Sequence, residues 1–429
     1  MSARLGTLLS HAAPARRRAI AAWIGYDVAL HGYGLMIPTA ASSIYFAVVV
    51  AADSGHADTW WALAVALSLV IAGVLAPWVG ALADAGGRRR TLMAAATLLC
   101  GAATALLATV GRGDVAAGLG LFVLAQIGAT LGGSLCNAYL PGLAAPGRAA
   151  RLSGLAWGVS YLGGIACFVL TLPFTRGGLG EGAAANFALT FPVTAAFVLA
   201  LALPAIAMLP GAAPRLRVDG LATPYRRVWA TIKSWRRERE LPKFLLAYYL
   251  INDAIVTVIF FTGVMLKKTF GLEVQEILLL SLAFQAIAIP STIFFGWLGS
   301  RWSERGAVYV TLALWLGALG IVLMAQGRPG AIAIALSLGL VLGSTQSLLR
   351  SLFAAMVPRG RESEYFGFHA LVGRASSALG PLFFGVVSAL TGSQRVAMAS
   401  LAVFFVAGGV VLAFVRVPRP DEDGGETDT

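Results

Sequence analysis

The chain has 429 residues, of which 58% are hydrophobic and 12% are charged, and its formal net charge is +12. A soluble domain carries roughly 25% charged residues, so this composition excludes a water-soluble globular protein. The positive charge does not indicate nucleic-acid binding, because the basic residues lie in short loops between apolar stretches, as membrane topology requires. The three cysteines are scattered within apolar stretches and have neither zinc-site spacing nor a disulfide pattern.

Twelve apolar stretches are long enough to cross a hydrocarbon core of about 30 Å and are predicted as transmembrane helices. They cover residues 20–50, 60–83, 91–111, 115–143, 153–173, 187–209, 243–266, 276–299, 306–326, 330–355, 365–391 and 396–416. The first stretch follows a basic segment with Arg4 and Arg16–Arg18. It is too long for a cleaved signal peptide and contains Asp27 and His31, so we predict a retained helix.

The lysines and arginines are distributed unevenly between alternate loops. Twenty-four of the 32 lie in the terminal segments and in one set of loops, whereas six lie in the opposite set. The positive-inside rule therefore predicts a multi-pass protein of the cell inner membrane with both termini in the cytoplasm. The helix ends that adjoin the 24 basic residues are called the basic ends below.

The longest loop divides the predicted spans into six plus six. The predicted order is an N-terminal six-helix bundle, a cytoplasmic linker, a C-terminal six-helix bundle and a disordered acidic tail, at residues 1–210, 211–242, 243–418 and 419–429. In the linker, apolar residues repeat at helical spacing, and basic residues lie on the opposite face. The apolar residues are Tyr225, Val228, Trp229, Ile232 and Trp235. This pattern predicts an amphipathic helix on the surface of the cytoplasmic leaflet.

The two halves resemble each other weakly. The sequence Gly147-Arg148 with Gly154 in the first half matches Gly360-Arg361 with Gly367 in the second, at a constant offset of 213 residues. Two six-helix halves in the same orientation are typical of parallel repeats, which place a substrate cavity at their interface near the bilayer midplane.

Residues 80–90 form the most specific motif, GALADAGGRRR, in the turn between the second and third spans. Gly80 permits close helix contact and Gly87 permits a sharp turn. Asp84 can accept hydrogen bonds from a neighbouring helix N-terminus or pair with an arginine. In the second half, Gly296 corresponds to Gly80, but Ser300 stands at the position that corresponds to Asp84. The second half therefore has no aspartate at this position for a second site of this kind.

The motif resembles the G-x-L-A-D-x-x-G-R-R signature of the major facilitator superfamily. The resemblance implies an all-α membrane protein with the major facilitator fold, twelve transmembrane helices arranged as two six-helix bundles. It also implies that this turn is a cytoplasmic gate that holds the two halves together in one conformation. The gate residues are Gly80, Asp84, Gly87, Arg88 and Arg89.

Further motifs resemble the autophagy-related vacuolar effluxer-like branch of that superfamily. They are residues 343–385, Tyr26-Asp27 and Asn252-Asp253, and the resemblance extends over about residues 20–415. It implies solute transport, since eukaryotic members are linked with vacuolar amino-acid efflux. The chain departs from the branch at residues 28–31 and at Ala254 and Val256, near the expected cavity, which leaves the substrate open.

Ionisable and amide side chains inside the spans are the candidate site residues, because each intramembrane charge costs about 2.5–3.5 kcal/mol on insertion scales. The candidates for proton coupling are Asp27, His31 and Asp253. The candidates for substrate binding are Asn137, Asn252, Gln346, Arg350 and Arg374. In one interpretation the acids pair with arginines as structural locks between helices. In the other, an acid binds protons while an arginine binds a substrate carboxylate bidentately.

His31 follows Asp27 by four residues and so lies on the same helical face, where the pair could relay protons or His31 could be a packing residue. The leading hypothesis is a proton-coupled secondary transporter that moves a small solute, such as an amino acid or related zwitterion, by alternating access. The alternatives are a lipid or drug exporter of the same fold and a non-transporting membrane sensor.

No Walker loop or His-Glu-x-x-His motif is present, so we expect neither direct use of ATP nor enzymatic activity. No cofactor or metal is expected. The expected partners are a small-molecule substrate, protons and the lipid bilayer, with no nucleic acid, and the chain is expected to be a monomer.

Overall fold

The computed structural model describes residues 14–179, 182–211, 222–235, 237 and 239–417. These residues form helices and no strands, and the all-α prediction is confirmed. Arg4 and the predicted acidic tail, 419–429, lie outside the described residues.

Among the residues that the structure describes, twelve helices are long and apolar enough to cross a membrane, as predicted. Their bounds are Pro14–Val50, Ala57–Ala85, Arg89–Thr109, Val115–Leu143, Ala149–Thr175, Ala184–Met208, Glu240–Phe270, Leu279–Arg301, Glu304–Met324, Gly327–Met356, Glu362–Thr391 and Gln394–Ala413, numbered spans 1 to 12 below. The bounds differ from the predicted ones by at most six residues.

The outward faces of the spans are apolar, as burial in lipid requires. Span 2 exposes large aliphatic residues at helical spacing, namely Leu63, Leu67, Val70 and Val74. On the opposite face, the small residues Ala72 and Ala76 pack against Ala96, Ile127 and Leu131 of the next two spans. Small residues at helix contacts let backbones approach closely, which drives association where lipid is as apolar as the protein.

Several spans are interrupted. Span 1 consists of Pro14–Gly34, a π-helical segment Leu35–Ala41 that contains Pro38, a turn of α-helix Ser42–Tyr45 and a second π-helical segment Phe46–Val50. Span 10 breaks into Gly327–Val341 and Ser344–Met356 at Gly343, whose φ of +75° is a conformation that favours glycine. Span 11 breaks into Glu362–Ala375 and Leu379–Thr391.

The remaining bounds complete the helices. Span 8 belongs to the helix Val274–Arg301. Shorter interruptions divide span 3 into Arg89–Leu106 and Leu107–Thr109, and span 4 into Val115–Asn137 and Leu140–Leu143. They divide span 6 into Ala184–Ala188 and Thr190–Met208, and span 12 into Gln394–Ser400 and Ala402–Ala413. The linker contains the helix Ala222–Ser234 at the position where an amphipathic helix was predicted. Its residues Tyr225, Trp229 and Ile232 are exposed.

The chain divides into two compact units. Unit 1 comprises the described residues of Met1–Tyr139, Val159–Val228 and Arg359–Ala370, which are mostly spans 1 to 6 with the start of span 11. Unit 2 comprises those of Leu140–Gly158, Trp229–Pro358 and Leu371–Thr429, which are mostly spans 7 to 12 with the start of span 5. Each unit therefore contains residues from both predicted halves of the chain.

Candidate functional site

In unit 1, the GALADAGGRRR motif forms a tight turn with a buried ion pair. Asp84 lies in the last turn of span 2, Gly87 reverses the chain with a φ of +64°, and Arg89 begins span 3. The Arg89 Nη2 atom lies 2.9 Å from Asp84 Oδ1, and both side chains are buried. A buried ion pair requires further hydrogen bonds to offset the loss of hydration, and the start of span 11 supplies them.

The helix Glu362–Ala375 of span 11 begins against this turn. The backbone amide of Glu364 donates to Asp84 Oδ2 at 2.9 Å. Arg89 donates to Ser363 Oγ at 2.6 Å and to Glu362 Oε2 at 2.8 Å. The first amides of a helix have no partner within the helix and carry partial positive charge, so a carboxylate from another span is a favourable cap. We call Asp84, Arg89, Glu362, Ser363 and Glu364 the first latch.

Glycines allow the backbones at the first latch to touch. A Cβ atom on Gly80 would overlap the carbonyl oxygen of Ser363. A Cβ atom on Gly367, one turn into the span 11 helix, would lie 2.5 Å from the carbonyl oxygen of Ala76. Side chains at these two positions would therefore keep span 2 and span 11 apart.

The two gate arginines have different surroundings. Arg89 also donates to the carbonyl oxygen of Ala138 at 3.0 Å and lies over the ring of Tyr139, with its Cζ atom 5.0 Å from the centroid. Arg88 is exposed. Arg89 therefore joins the turn to the end of span 4, next to Asn137, the last residue of the helix Val115–Asn137.

The linker helix contacts the first latch through Glu364. The carboxylate of Glu364 is fully buried and accepts hydrogen bonds from Arg227 Nε at 3.0 Å and from Arg361 Nη2 at 2.8 Å. Arg227 also donates to the carbonyl oxygen of Gly360 at 3.2 Å. The side chain of Glu364 is thus bound by the linker while its backbone amide is bound by span 2.

In unit 2, Asn252 and Asp253 of span 7 connect the breaks in spans 10 and 11. Asn252 donates to Ser376 Oγ, within the break of span 11, at 2.7 Å, and accepts from Gln346 Nε2, just after the break of span 10, at 2.9 Å. Asp253 Oδ2 accepts from the amide of Gly380 at 2.7 Å and so caps the helix Leu379–Thr391. The amide candidates Asn252 and Gln346 are therefore brought together.

The second oxygen of Asp253 has no hydrogen-bond partner among the described residues, although the residue is fully buried. Asp253 makes no salt bridge within that part of the chain, so the interpretation in which the acids pair with arginines as structural locks does not apply to Asp253 in this conformation. Burying a carboxylate anion with one unpaired oxygen inside a membrane protein costs free energy, and a proton on that oxygen removes the charge and reduces the cost.

Arg350 of span 10 contacts span 5. Its Nε and Nη2 atoms donate to Ser153 Oγ and to the Ser153 carbonyl oxygen at 2.9 and 3.1 Å, and its Cζ atom lies 5.0 Å from the ring centroid of Trp157. The side chain is buried. These contacts fit a tie between helices. Arg374, in contrast, is only partly buried, in the last turn of the helix Glu362–Ala375.

The candidates of span 1 lie in unit 1. Asp27 is buried. His31 lies on the same helical face, as predicted, and its Nδ1 atom is 3.2 Å from the backbone oxygen of Asp27. The ring of His31 packs edge-on against Tyr161, with 5.5 Å between centroids. The π-helical segment Leu35–Ala41 begins four residues later, and such segments occur frequently at functional sites.

The sequence did not predict the partners of the candidate residues. The branch motif at residues 343–385 includes Glu362, Ser363 and Glu364. Nothing in the sequence indicated that this segment contacts the turn at Asp84, which is far away in the chain. A helix N-terminus with Glu at its first and third positions was the available signal, since such a terminus attracts caps. Ser153 and Gly380 carry no comparable signal.

The family described as "Vacuole effluxer Atg22 like" matches residues 45–425. The chain belongs to this Atg22-like family. The uncharacterized MFS-type transporter YxiO of Bacillus subtilis is 26% identical over 406 residues, which is 92% of this chain and 94% of that protein. Autophagy-related protein 22 of Cryptococcus neoformans is 26% identical over 292 residues, or 63% of this chain and 51% of that protein, so the match spans about half of its length.

Among solved structures, the human organic anion transporter MFSD10 superposes with a TM-score of 0.70 at 18% identity, covering 94% of this chain and 100% of that one. This similarity establishes the fold. The predictions of the major facilitator fold and of the vacuolar effluxer-like branch are confirmed. This Atg22-like protein is thus a multi-pass, MFS-type transporter with twelve spans, which carries out secondary transport.

Proposed function

We propose that this Atg22-like protein moves a small zwitterionic solute, such as an amino acid, and couples that movement to protons. The observation that carries the proposal is the position of Asp253. Its carboxylate caps a half-helix in a broken span and has one buried oxygen without a partner among the described residues.

Proton coupling is supported by the chemistry of that carboxylate. As an anion it is stabilised by the amide of Gly380 through Oδ2 alone, and a proton on Oδ1 removes the cost of the uncompensated charge. Protonation also weakens the cap on the helix Leu379–Thr391, because a neutral carboxyl group interacts less strongly with a helix N-terminus. Proton binding at Asp253 can therefore change how the two parts of span 11 are held. Asp27 and His31 remain the second candidates.

A polar substrate is supported by the groups near the breaks in spans 10 and 11. Gln346 lies in the first turn of the helix Ser344–Met356, whose N-terminal amides favour an anionic group. Asn252 and Gln346 offer neutral hydrogen-bonding groups, and Arg374 is the arginine candidate that is not fully buried. A broken span with its half-helix N-terminus at a substrate carboxylate is a recurrent arrangement in secondary transporters. Arg350 is better assigned to the tie with Ser153.

The proposed orientation follows from charge. The first latch lies at the basic ends of spans 2, 3 and 11, which the positive-inside rule places in the cytoplasm together with both termini. Within unit 1 the latch joins spans from both predicted halves, so we propose that this conformation is closed on the cytoplasmic side. The exposed Tyr225 and Trp229 of the linker helix would then lie at the cytoplasmic leaflet, where aromatic rings are favoured.

A thermal-shift screen of the purified, full-length protein tests the substrate class. Amino acids, peptides, sugars and lipids are compared, because a ligand that binds the folded state raises its stability by mass action. We expect an increase in Tm with amino acids and a larger increase at a pH that favours a protonated Asp253. A hit is then tested for uptake driven by a pH gradient in proteoliposomes. Stabilisation by lipids alone, with no amino-acid uptake, would favour the lipid exporter.

A further inference from the structure

An apolar groove lies on the outward surface of unit 1, between span 2 and span 4. Its volume is about 470 Å³, and it is lined by aliphatic residues, a glycine and a tryptophan. Leu63 and Leu67 of span 2 and Leu124 of span 4 form its exposed walls, and the buried Ala64 lies at its floor. Because Leu63 and Leu67 also belong to the apolar face of span 2 described above, the groove is continuous with the surface that contacts lipid.

A glycine leaves part of the groove empty. Gly120 lines the groove on span 4, and a Cβ atom on it would meet no atom within 4 Å. Gly128, further along the same span, is different, since a Cβ atom there would lie 2.6 Å from the carbonyl oxygen of Ala96 in span 3. Close packing between helices therefore requires glycine at residue 128 but not at residue 120, where the space is available to another molecule.

The groove is about as long as one lipid leaflet is deep. Its lining residues on span 2 extend from Trp60 to Ile71, which corresponds to about 17 Å of helix at 1.5 Å per residue. The hydrocarbon core of a bilayer is about 30 Å thick, so one leaflet contributes about 15 Å. Trp60 lies in the first turn of span 2, at the end opposite the basic ends, and tryptophan is favoured at a membrane–water interface. The groove thus extends from that interface to the middle of the membrane.

The inner end of the groove meets a packed cluster. Ile127 belongs to the cluster formed by spans 2, 3 and 4, and both Ile71 and Ala370 of span 11 pack against that cluster. A molecule in the groove would have to separate span 11 from this cluster in order to move on towards the basic ends. The groove therefore suits a chain that enters from one leaflet and stays there.

Acidic residues flank the mouth of the groove at the interface. Asp58 lies in the first turn of span 2, Asp114 directly precedes span 4, and both are exposed. Arg112, in the loop before span 4, is paired with Asp53, so the charges of those two residues cancel. Asp58 and Asp114 then leave the mouth negatively charged. Such a mouth attracts a headgroup that carries an ammonium group and repels one whose only charge is a phosphate.

We infer that this groove binds one acyl chain of a phospholipid with an ammonium headgroup, held as a resident lipid of the outer leaflet. Its volume is within the range of about 300–1,000 Å³ that is usual for ligand sites. The lipid is not a transported solute, because the apolar lining offers no path for a charged headgroup across the membrane. The assignment to the outer leaflet uses the orientation proposed above, and the inference is otherwise independent of the substrate.

Photo-crosslinking of the full-length protein in lipid nanodiscs tests this inference. The probe is a phosphatidylethanolamine that carries a diazirine midway along one acyl chain. We expect labelling to concentrate in peptides that contain Leu63, Leu67 and Leu124, above the labelling of other lipid-facing peptides. In the Gly120→Leu variant the added side chain fills part of the groove, and we expect about tenfold less labelling of those peptides.

Gly317→Leu is the matched control. Gly317 is exposed on span 9, and a Cβ atom on it also meets no atom within 4 Å, so the same side chain is added outside the groove. We expect labelling of the groove to be unchanged in this variant. A phosphatidylglycerol probe with the same chains tests the headgroup, and we expect it to label the groove less because the mouth is acidic.

Even labelling of all lipid-facing peptides, or labelling of the groove that Gly120→Leu leaves unchanged, would overturn the inference. Equal labelling by the two probes would overturn the assignment of an ammonium headgroup. Transfer of the probe to the opposite leaflet of proteoliposomes, slowed by Gly120→Leu, would overturn the resident role and favour a lipid exporter. If Gly120→Leu does not fold, Gly120→Ala gives the same test with a smaller expected decrease. Amino-acid uptake is not measured, so failure of this test leaves the proposed substrate untouched.

Discussion

The backbone amide of Glu364 donates a hydrogen bond of 2.9 Å to Asp84 Oδ2, and the same carboxylate pairs through Oδ1 with Arg89. One buried side chain thus joins the turn between spans 2 and 3 to the first turn of span 11. Loss of this carboxylate would leave the buried amide of Glu364 without its acceptor and would remove one of the two acids that pair with Arg89. We therefore expect the first latch to be sensitive to substitution.

Asp84→Asn should impair transport without preventing membrane insertion. Asparagine keeps one acceptor oxygen but loses the charge that pairs with Arg89, and we expect the closed conformation to be weakened by about 1.5–3 kcal/mol. Uptake in proteoliposomes measures the rate, and the yield in the membrane fraction measures insertion.

The control for that substitution is Asp53→Asn at the opposite ends of the spans. Asp53 and Arg112 form an exposed pair, and the hydrogen bond from Arg112 lowers the pKa of Asp53, so the control also removes a full negative charge at neutral pH. Exposed pairs contribute little, so we expect normal uptake. Equal rates for Asp84→Asn and the original protein would contradict a gate at this turn.

Arg89→Lys should reproduce the defect, whereas Arg88→Lys should not. The guanidinium group of Arg89 donates in four directions, to Asp84, Glu362, Ser363 and the Ala138 carbonyl oxygen, and a lysine ammonium cannot match that planar geometry. Arg88 is exposed and serves as the matched control, with the same substitution one residue earlier. Uptake rates and Tm are compared for the two variants. Normal uptake by both variants would mean that only the charge of the turn matters, because lysine keeps that charge, and similar losses in both would contradict a special role for the contacts of Arg89.

Asp253→Asn should abolish uptake driven by a pH gradient but permit counterflow of substrate. Asparagine can still accept the hydrogen bond from Gly380, but it cannot bind and release a proton. Thr257→Val is the control, because its hydroxyl group donates only to the backbone oxygen of Asp253 and its loss leaves the carboxylate intact. Counterflow and pH-driven uptake are measured on the same proteoliposomes. Failure of Asp253→Asn to fold would instead support a structural lock.

Gly367→Ala should destabilise the closed conformation through steric overlap. The added Cβ atom would lie 2.5 Å from the carbonyl oxygen of Ala76, and overpacking of this kind costs about 1–3 kcal/mol. Gly385→Ala, in the second helix of the same span, adds a Cβ atom that meets no atom within 4 Å. We expect a lower Tm for the first variant and an unchanged or higher Tm for the second. A decrease of equal size in both would point to a general effect on span 11.

The number and bounds of the spans could be predicted from the sequence, because hydropathy is a local property and lipid imposes a minimum length. The interruptions could not. Gly343 is one of 50 glycines, and only its φ of +75° distinguishes it as the break in span 10. Pro38 was visible, but the π-helical turns around it depend on how the following turns pack.

The candidate site was predicted in its residues more than in its contacts. Asp253 and Arg350 were identified because intramembrane charges are rare, and pairing of the acids with arginines was one of two interpretations. In the structure, Asp253 accepts a hydrogen bond from the N-terminus of a helix, and Arg350 contacts a serine and a tryptophan ring of span 5. Backbone amides at a helix break are invisible in a sequence until the break is known.

A Cβ atom on Gly154 of span 5 would lie 2.8 Å from the Cα atom of Gly296 of span 8, so the two helices touch at these glycines. Neither residue has a rotatable side chain, and this part of the contact therefore forms without fixing a rotamer. Ordering a long side chain costs up to about 2 kcal/mol of entropy at room temperature, whereas glycine costs none. The two helices can part and meet again as preformed surfaces, with no side-chain search at each encounter.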